Sequence, residues 1–125
     1  MYVPDNVVSI GEESFRRMKS LHEIHLSENI TLIPKNTFEG CESLTDIICP
    51  SKVKSVGESA FESCVNLTRI IFLSEDLNII DEDCFSGCGN LSEIVLYSPR
   101  PPVCNIESFD KNCYFRTTIS VPSEA

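Results

Sequence analysis

A chain of 125 residues that is 42% hydrophobic is long enough for one domain with a buried core, and no apolar run approaches the roughly 18 residues of a membrane-spanning helix. Its 19 acidic residues against 10 basic ones give a net charge of −9, which repels phosphate backbones and makes nucleic acid a poor partner. Seven cysteines are an odd count, so at least one thiol is unpaired in a monomer, unlike the even numbers of a secreted disulfide framework.

The opening "MYVPDNVVSI" has no basic stretch leading into an apolar one and does not read as a signal peptide. Tyr2-Val3-Pro4 aligns with Ile48-Cys49-Pro50, halfway through a unit that recurs downstream. The expectation is therefore a truncated array with further units upstream in a parent protein. An uncapped end would expose apolar columns and a sheet edge, which invites self-association with another chain.

From there the chain repeats itself. Phe15, Phe38, Phe61, Phe85 and Phe109 are separated by 23, 23, 24 and 24 residues. Leu21, Leu44, Leu67 and Leu91 keep the same step, as do Ile24, Ile47, Ile70 and Ile94. Two further apolar columns are Ile10, Ile33, Val56 and Ile80, and Val7, Ile30, Val53 and Leu77. Self-similarity at a fixed period of this size is the signature of a solenoid. In the first unit "LHEIHL" (Leu21–Leu26) predicts a short strand, with Ile24 and Leu26 inward because strand side chains alternate. "LTDIIC", "LTRIIF" and "LSEIVL" predict the equivalent strands. Between strands, "KVKSVGESAFESC" reads as a second extended piece with Val53 and Val56 inward and a bend at Gly57. Glu58 to Cys64 reads as about two helical turns, with Phe61 and Cys64 on one face.

The period and the L-x-x-I-x-L core match the leucine-rich repeat, and "VGESAFESCVNLTRI" resembles the BspA-like, or treponemal-type, class. The resemblance covers Tyr2 to about Leu96. It departs at Met18, which stands where later units have cysteine, and at Pro34 and Asp81, where the glycine is missing. It implies an α/β leucine-rich repeat solenoid: a right-handed coil with a parallel β-sheet on one face and short helical turns on the other. Residues 1–96 would hold four units of about 23 residues, the first incomplete, and 97–125 a C-terminal cap. Similar proteins are commonly cell-surface or secreted, and several act in adhesion.

Cys41, Cys64 and Cys88 each follow a column phenylalanine by three residues, so each is expected in the core as a small hydrophobe. Met18 in the same column supports a packing role. No C-x-x-C pair is present, which leaves zinc a remote reading. Cys49 replaces a core leucine, and Cys84 and Cys104 are further thiols, Cys104 falling in an isoleucine column. A Cys88–Cys113 pairing is possible but less expected than free thiols. The end, "YSPRPPVCNIESFDKNCYFRTTISVPSEA", is proline-rich, keeps Phe109 in step and supplies a last strand at "TTISVP".

The variable strand positions face outward in three columns. Glu23, Asp46, Arg69 and Glu93 form the first, with Arg69 between two carboxylates as a surface ion-pair ladder. Tyr2, His25, Ile48, Ile71 and Val95 form the second, and Pro4, Ser27, Pro50, Leu73 and Tyr97 the third. Ile48, Ile71, Val95, Leu73 and Tyr97 would make a contiguous exposed apolar patch, the mark of an interaction site, although β-branched residues also simply suit strands. The candidate partner-binding face is thus Glu23, His25, Asp46, Ile48, Arg69, Ile71, Leu73, Glu93, Val95 and Tyr97.

His22 and His25 tend to opposite sides of a strand, which argues against a metal pair; His25 beside Glu23 would pair below neutral pH. Asn29, Asn66 and Asn90 open N-x-S/T acceptors, two of them at equivalent repeat positions. No G-x-S-x-G, H-E-x-x-H, P-loop or dinucleotide motif is present, so neither catalysis nor a cofactor is expected. The sequence thus predicts a non-catalytic protein-interaction module of a surface or secreted adhesion-type protein. The alternative is a structural spacer or stalk, and a weaker one is glycan binding at Tyr97.

Overall fold

The computed structural model describes residues 1–100 and 102–104, together with the backbone of 118–120. Eight strands run in chain order: β1 (Leu32–Ile33), β2 (Asp46–Cys49), β3 (Ser55–Val56), β4 (Arg69–Phe72), β5 (Ile79–Ile80), β6 (Glu93–Leu96), β7 (Val103–Cys104) and β8 (Thr118–Ser120). They sort into two parallel sheets, β2-β4-β6-β8 and β1-β3-β5-β7. Each turn of the coil gives one longer strand to the first sheet and one two-residue strand to the second. The register follows the sequence columns: Ile47↔Ile70 and Ile70↔Ile94 in the first sheet, Ile33↔Val56 and Val56↔Ile80 in the second.

The third side of each turn corrects the sequence reading. There is no helix among the described residues. Glu58 to Cys64 instead runs as consecutive tight turns: Ala60 N–H bonds the Gly57 carbonyl, Glu62 that of Ser59, and Cys64 that of Phe61. The intervening amides reach sideways, Ser59 to the Glu82 carbonyl at 3.0 Å, Phe61 to Cys84 at 2.9 Å and Ser63 to Ser86 at 2.7 Å. The same alternation joins the earlier turns, with Asn36, Phe38 and Gly40 donating to Glu58, Ala60 and Glu62. A helix directs every amide along its own axis and leaves none for a neighbour. The alternating pattern instead satisfies the backbone inside each turn and between turns.

The geometry needs a left-handed residue every fourth position. Glu13 and Arg17, Asn36 and Gly40, Ser59 and Ser63, and Asp83 and Gly87 all have positive φ. Two of these eight are glycine; the other six hold a conformation that side chains disfavour by about 1–3 kcal/mol each. Gly57 has another task than the bend expected of it. A Cβ there would lie 2.5 Å from the Lys35 amide nitrogen and 2.8 Å from the Pro34 carbonyl carbon, so glycine permits two turns to approach.

Inside the coil the columns stack. Phe15, Phe38, Phe61 and Phe85 form a file of near-parallel rings, with centroids 5.4, 5.3 and 5.6 Å apart. Leu44, Leu67, Ile70 and Val53 are fully enclosed, while Val3, Ile10, Phe15 and Met18 pack on the core from its half-buried first turn. At the corner after the first-sheet strand, buried Ser27 and Ser74 accept the amides of Asn29 and Asp76. Small hydroxyl residues there pin the reversal between sheets.

The cysteine column is more than filler. The Cys41 thiol donates to the Phe15 carbonyl at 3.1 Å, Cys64 to Phe38 at 3.1 Å and Cys88 to Phe61 at 3.0 Å. Each thiol therefore ties one turn to the phenylalanine of the turn before it. Cys41, Cys49, Cys64, Cys84 and Cys88 are free and buried, and Cys104 is free and exposed. Cys88 is thus unpaired, and Cys113 lies outside the described residues. Burial raises the Cys41 thiol to about 11 and pushes Cys49 and Cys84 well up too. Of the expected C-terminal cap, β7 and β8 add one further strand to each sheet, and most of 105–125 lies outside the described residues.

Two outcomes follow from this core. Phe61→Ala, which opens the middle of the ring file, should cost about 3–5 kcal/mol in urea unfolding, and the same change at half-buried Phe15 less. The pH dependence has a fixed sign: a folded-state pKa above the ordinary thiol value of 9.0 contributes stability that is complete below pH 9 and is lost as pH rises toward the folded value. Chemical denaturation from pH 8 to 11 should show a falling midpoint, and Cys41→Ala should flatten that fall.

Candidate interaction face

The face of the β2-β4-β6-β8 sheet is built by alternation. Asp46, Ile48, Arg69, Ile71, Glu93 and Val95 occupy the positions between the inward Ile47, Cys49, Ile70, Phe72, Ile94 and Leu96. Parallel register aligns them across strands as Asp46↔Arg69↔Glu93 and Ile48↔Ile71↔Val95. Asp46, Arg69 and Glu93, and Ile48, Ile71 and Val95, thus form two files on one surface, with Leu73 and Tyr97 continuing from the ends of β4 and β6, while Glu23 and His25 of the predicted columns lie outside this register, His25 bridging Tyr2 instead.

Their exposure is uneven. Ile48 is 53% exposed and Tyr97 43%, with Ile71 and Leu73 half-buried between them. Val95, expected in the open patch, is 7% exposed. It is one carbon shorter than Ile71, and β8 closes its far side in the register Val95↔Ser120. The apolar surface on offer is thus Ile48, Ile71, Leu73 and Tyr97.

The charged column also differs from expectation. Arg69 Nε meets Glu93 Oε1 at 2.6 Å, while Asp46 accepts from the Thr45 hydroxyl at 3.1 Å instead. Arg69 commits to one neighbour, so the file is a pair beside a single carboxylate. His25 stacks on Tyr2, centroids 4.9 Å apart and planes 12° from parallel, and makes no ion pair with Glu23 among the described residues. Stacking aligns the imidazole with a ring on the neighbouring turn.

The asparagines of the N-x-S/T acceptors are structural. Asn66 and Asn90 donate from Nδ2 to the carbonyls of Glu42 and Val65 one turn back, at 2.7 and 2.8 Å. Asn29 does the same to Asp5 at 2.7 Å. Their repeat spacing follows from this polar ladder.

Sequence reasoning missed one feature. Where Leu73 N–H bonds Cys49 and Tyr97 N–H bonds Phe72, the equivalent donor one turn earlier is Pro50, which has no N–H. Here the first sheet stops: His25 bridges only to Tyr2, and among the described residues no hydrogen bond joins 22–27 to 45–50. A cleft of about 410 Å³ opens between them. The proline was plain in the sequence, but its effect is a missing donor, which an outward-facing column does not reveal.

No group of three or more His, Cys, Asp or Glu side chains able to hold a metal occurs among the described residues, and no helix there is long and apolar enough to cross a membrane.

Comparison with known proteins identifies the architecture. Residues 1–120 match the family described as BspA type leucine rich repeat region, in six copies. A crystal structure of a leucine rich cell surface protein from Faecalibacterium prausnitzii A2-165 is similar over 99% of this chain and 29% of its own, with 31% identity and a TM-score of 0.73. A leucine-rich repeat protein from Bacteroides ovatus is similar over 95% of this chain and 36% of its own, with 25% identity and a TM-score of 0.64. No curated protein matches the chain. The chain spans about a third of each of these two solved proteins. The match runs through every turn described above, and the chain belongs to the BspA-type leucine-rich repeat family.

Proposed function

We propose that this chain is a non-catalytic module that binds a partner protein through the outward face of the β2-β4-β6-β8 sheet. The observation that carries the reading is the outward set of exposed Ile48 and Tyr97 with half-buried Ile71 and Leu73 between them, on a ladder beside the Arg69–Glu93 pair. Apolar residues ringed by charge suit protein recognition: the first supply burial and the second orientation. A solenoid holds such a surface fixed, which lowers the ordering cost of binding. The likeness to a protein described as cell surface supports a place on or outside the cell, in an adhesion-type parent.

A spacer or stalk is the second reading. Its support is that the chain matches only 29% and 36% of the two solved proteins, so in each this architecture is part of something longer.

Ile71→Asp and Tyr97→Asp separate the readings. Both sit at least partly in solvent, so the fold should survive, with unfolding midpoints close to wild type. The expected result, from surface plasmon resonance over a panel of purified extracellular proteins, is a partner whose affinity falls at least tenfold in both variants. Unchanged affinity for every partner found would favour the spacer.

A further inference from the structure

The cleft at the broken end of the first sheet has a chemistry of its own. In a parallel ladder, alternate residues turn both backbone groups toward opposite neighbours. His25 spends its N–H on Met1 and its C=O on Val3. The groups of Ile24 and Leu26 therefore face the other way, into the cleft. Across it, the Cys49 carbonyl bonds Leu73, so Asp46 and Ile48 turn back toward the cleft from their side. Two strand edges thus confront each other with no hydrogen bond between them among the described residues.

The coil stays laced on either side of this gap. Ser43 Oγ bonds the Lys19 carbonyl before it, and Lys54 N–H bonds Thr31 at 2.8 Å after it. The opening is therefore local to one stretch of one face. Its floor and walls are apolar, with Ile24, Ile48, Pro50 and Leu73 along it. Its rim carries three carboxylates, Glu23, Glu28 and Asp46, against one cation, the Met1 ammonium, which donates to the Glu23 carbonyl at 3.2 Å. None of these three carboxylates is in an ion pair among the described residues.

We infer that this cleft takes an extended, positively charged segment of a partner protein, lying along the unpaired edges of the Ile24–Leu26 and Asp46–Ile48 stretches. The inference rests on the protein-binding reading of the sheet face and names one site within it. An extended segment laid over the slot offers backbone N–H and C=O groups to the unpaired edges, and its side chains alternate in direction. The set turned to the sheet meets one surface, because Glu23, Asp46 and Ile48 all occupy outward positions. Lysine or arginine in that set lays its aliphatic stem on Ile48 and Leu73 and its charge against Glu23, Glu28 and Asp46. An acidic segment is repelled by the same three carboxylates, which makes charge the selective term.

The test uses an N-acetylated, C-amidated decapeptide of alternating lysine and valine, with the glutamate–valine peptide as control, titrated into the ¹⁵N-labelled chain. The expected result is shifts at Ile24, Leu26, Asp46 and Ile48 with the lysine peptide alone. Glu23→Gln with Asp46→Asn should weaken this binding at least tenfold. Pro50→Ala, which restores a donor opposite Leu26, should close the ladder and weaken it as well. Shifts scattered over the acidic surface, equal shifts from the two peptides, or no shift at millimolar peptide would each overturn the cleft. None of these touches the wider face, which Ile71→Asp and Tyr97→Asp probe independently.

Discussion

The structure depends on how its backbone amides divide their bonds. Along the phenylalanine side of the turns that carry Phe15, Phe38 and Phe61, one amide closes a tight turn within its own coil and the next reaches to the neighbouring coil. This division keeps the turns at a constant separation, and constant separation brings the rings of Phe15, Phe38, Phe61 and Phe85 into one file. The thiols of Cys41, Cys64 and Cys88 sit one short turn further on and bond the preceding phenylalanine carbonyl. Cysteine suits this point because it is small enough to be buried, apolar enough to cost little and still able to donate. Met18 fills the same column in the first turn, packed on the core by its side chain alone.

The inward columns were legible because burial repeats at the period of the coil. Phe, Leu and Ile at constant spacing admit few arrangements other than stacking, and the register of Ile47, Ile70 and Ile94 follows at once. The helical turns were misread for a definite reason. Phe61 and Cys64, three apart, lie together in a helix and equally in a run of i→i+3 turns. What separates the two is positive φ at Ser59 and Ser63, and serine does not announce that conformation. Gly40 and Gly87, in the column of Ser63, were the available hint. The face was legible to the same depth. Alternation accounts for the outward positions of Ile48 and Ile71, but the enclosure of Val95 depends on its size and on β8, which no single strand records.

Pro50 shows how one residue interrupts the architecture. A proline at the end of a strand removes a single donor, and in most sheets the neighbouring bonds absorb that loss. Here the sheet gains only four residues per turn, so the missing bond coincides with a gap along the whole width of one strand. The other sides of the coil remain bonded, and the result is a slot rather than a fracture. The departure from the repeat, and not the repeat itself, thus makes this stretch of the face unlike the rest.

Native-state amide hydrogen exchange, read residue by residue, tests the central claim that the ladder is continuous on the phenylalanine side and open between 22–27 and 45–50. Slow exchange is predicted at Phe38, Gly40, Phe61 and Ser63, which bond across turns, and fast exchange at Ile24, Leu26, Asp46 and Ile48, which face the slot. Uniform protection of all eight amides would contradict the open ladder, and fast exchange at Phe38 and Phe61 would contradict the stacked one.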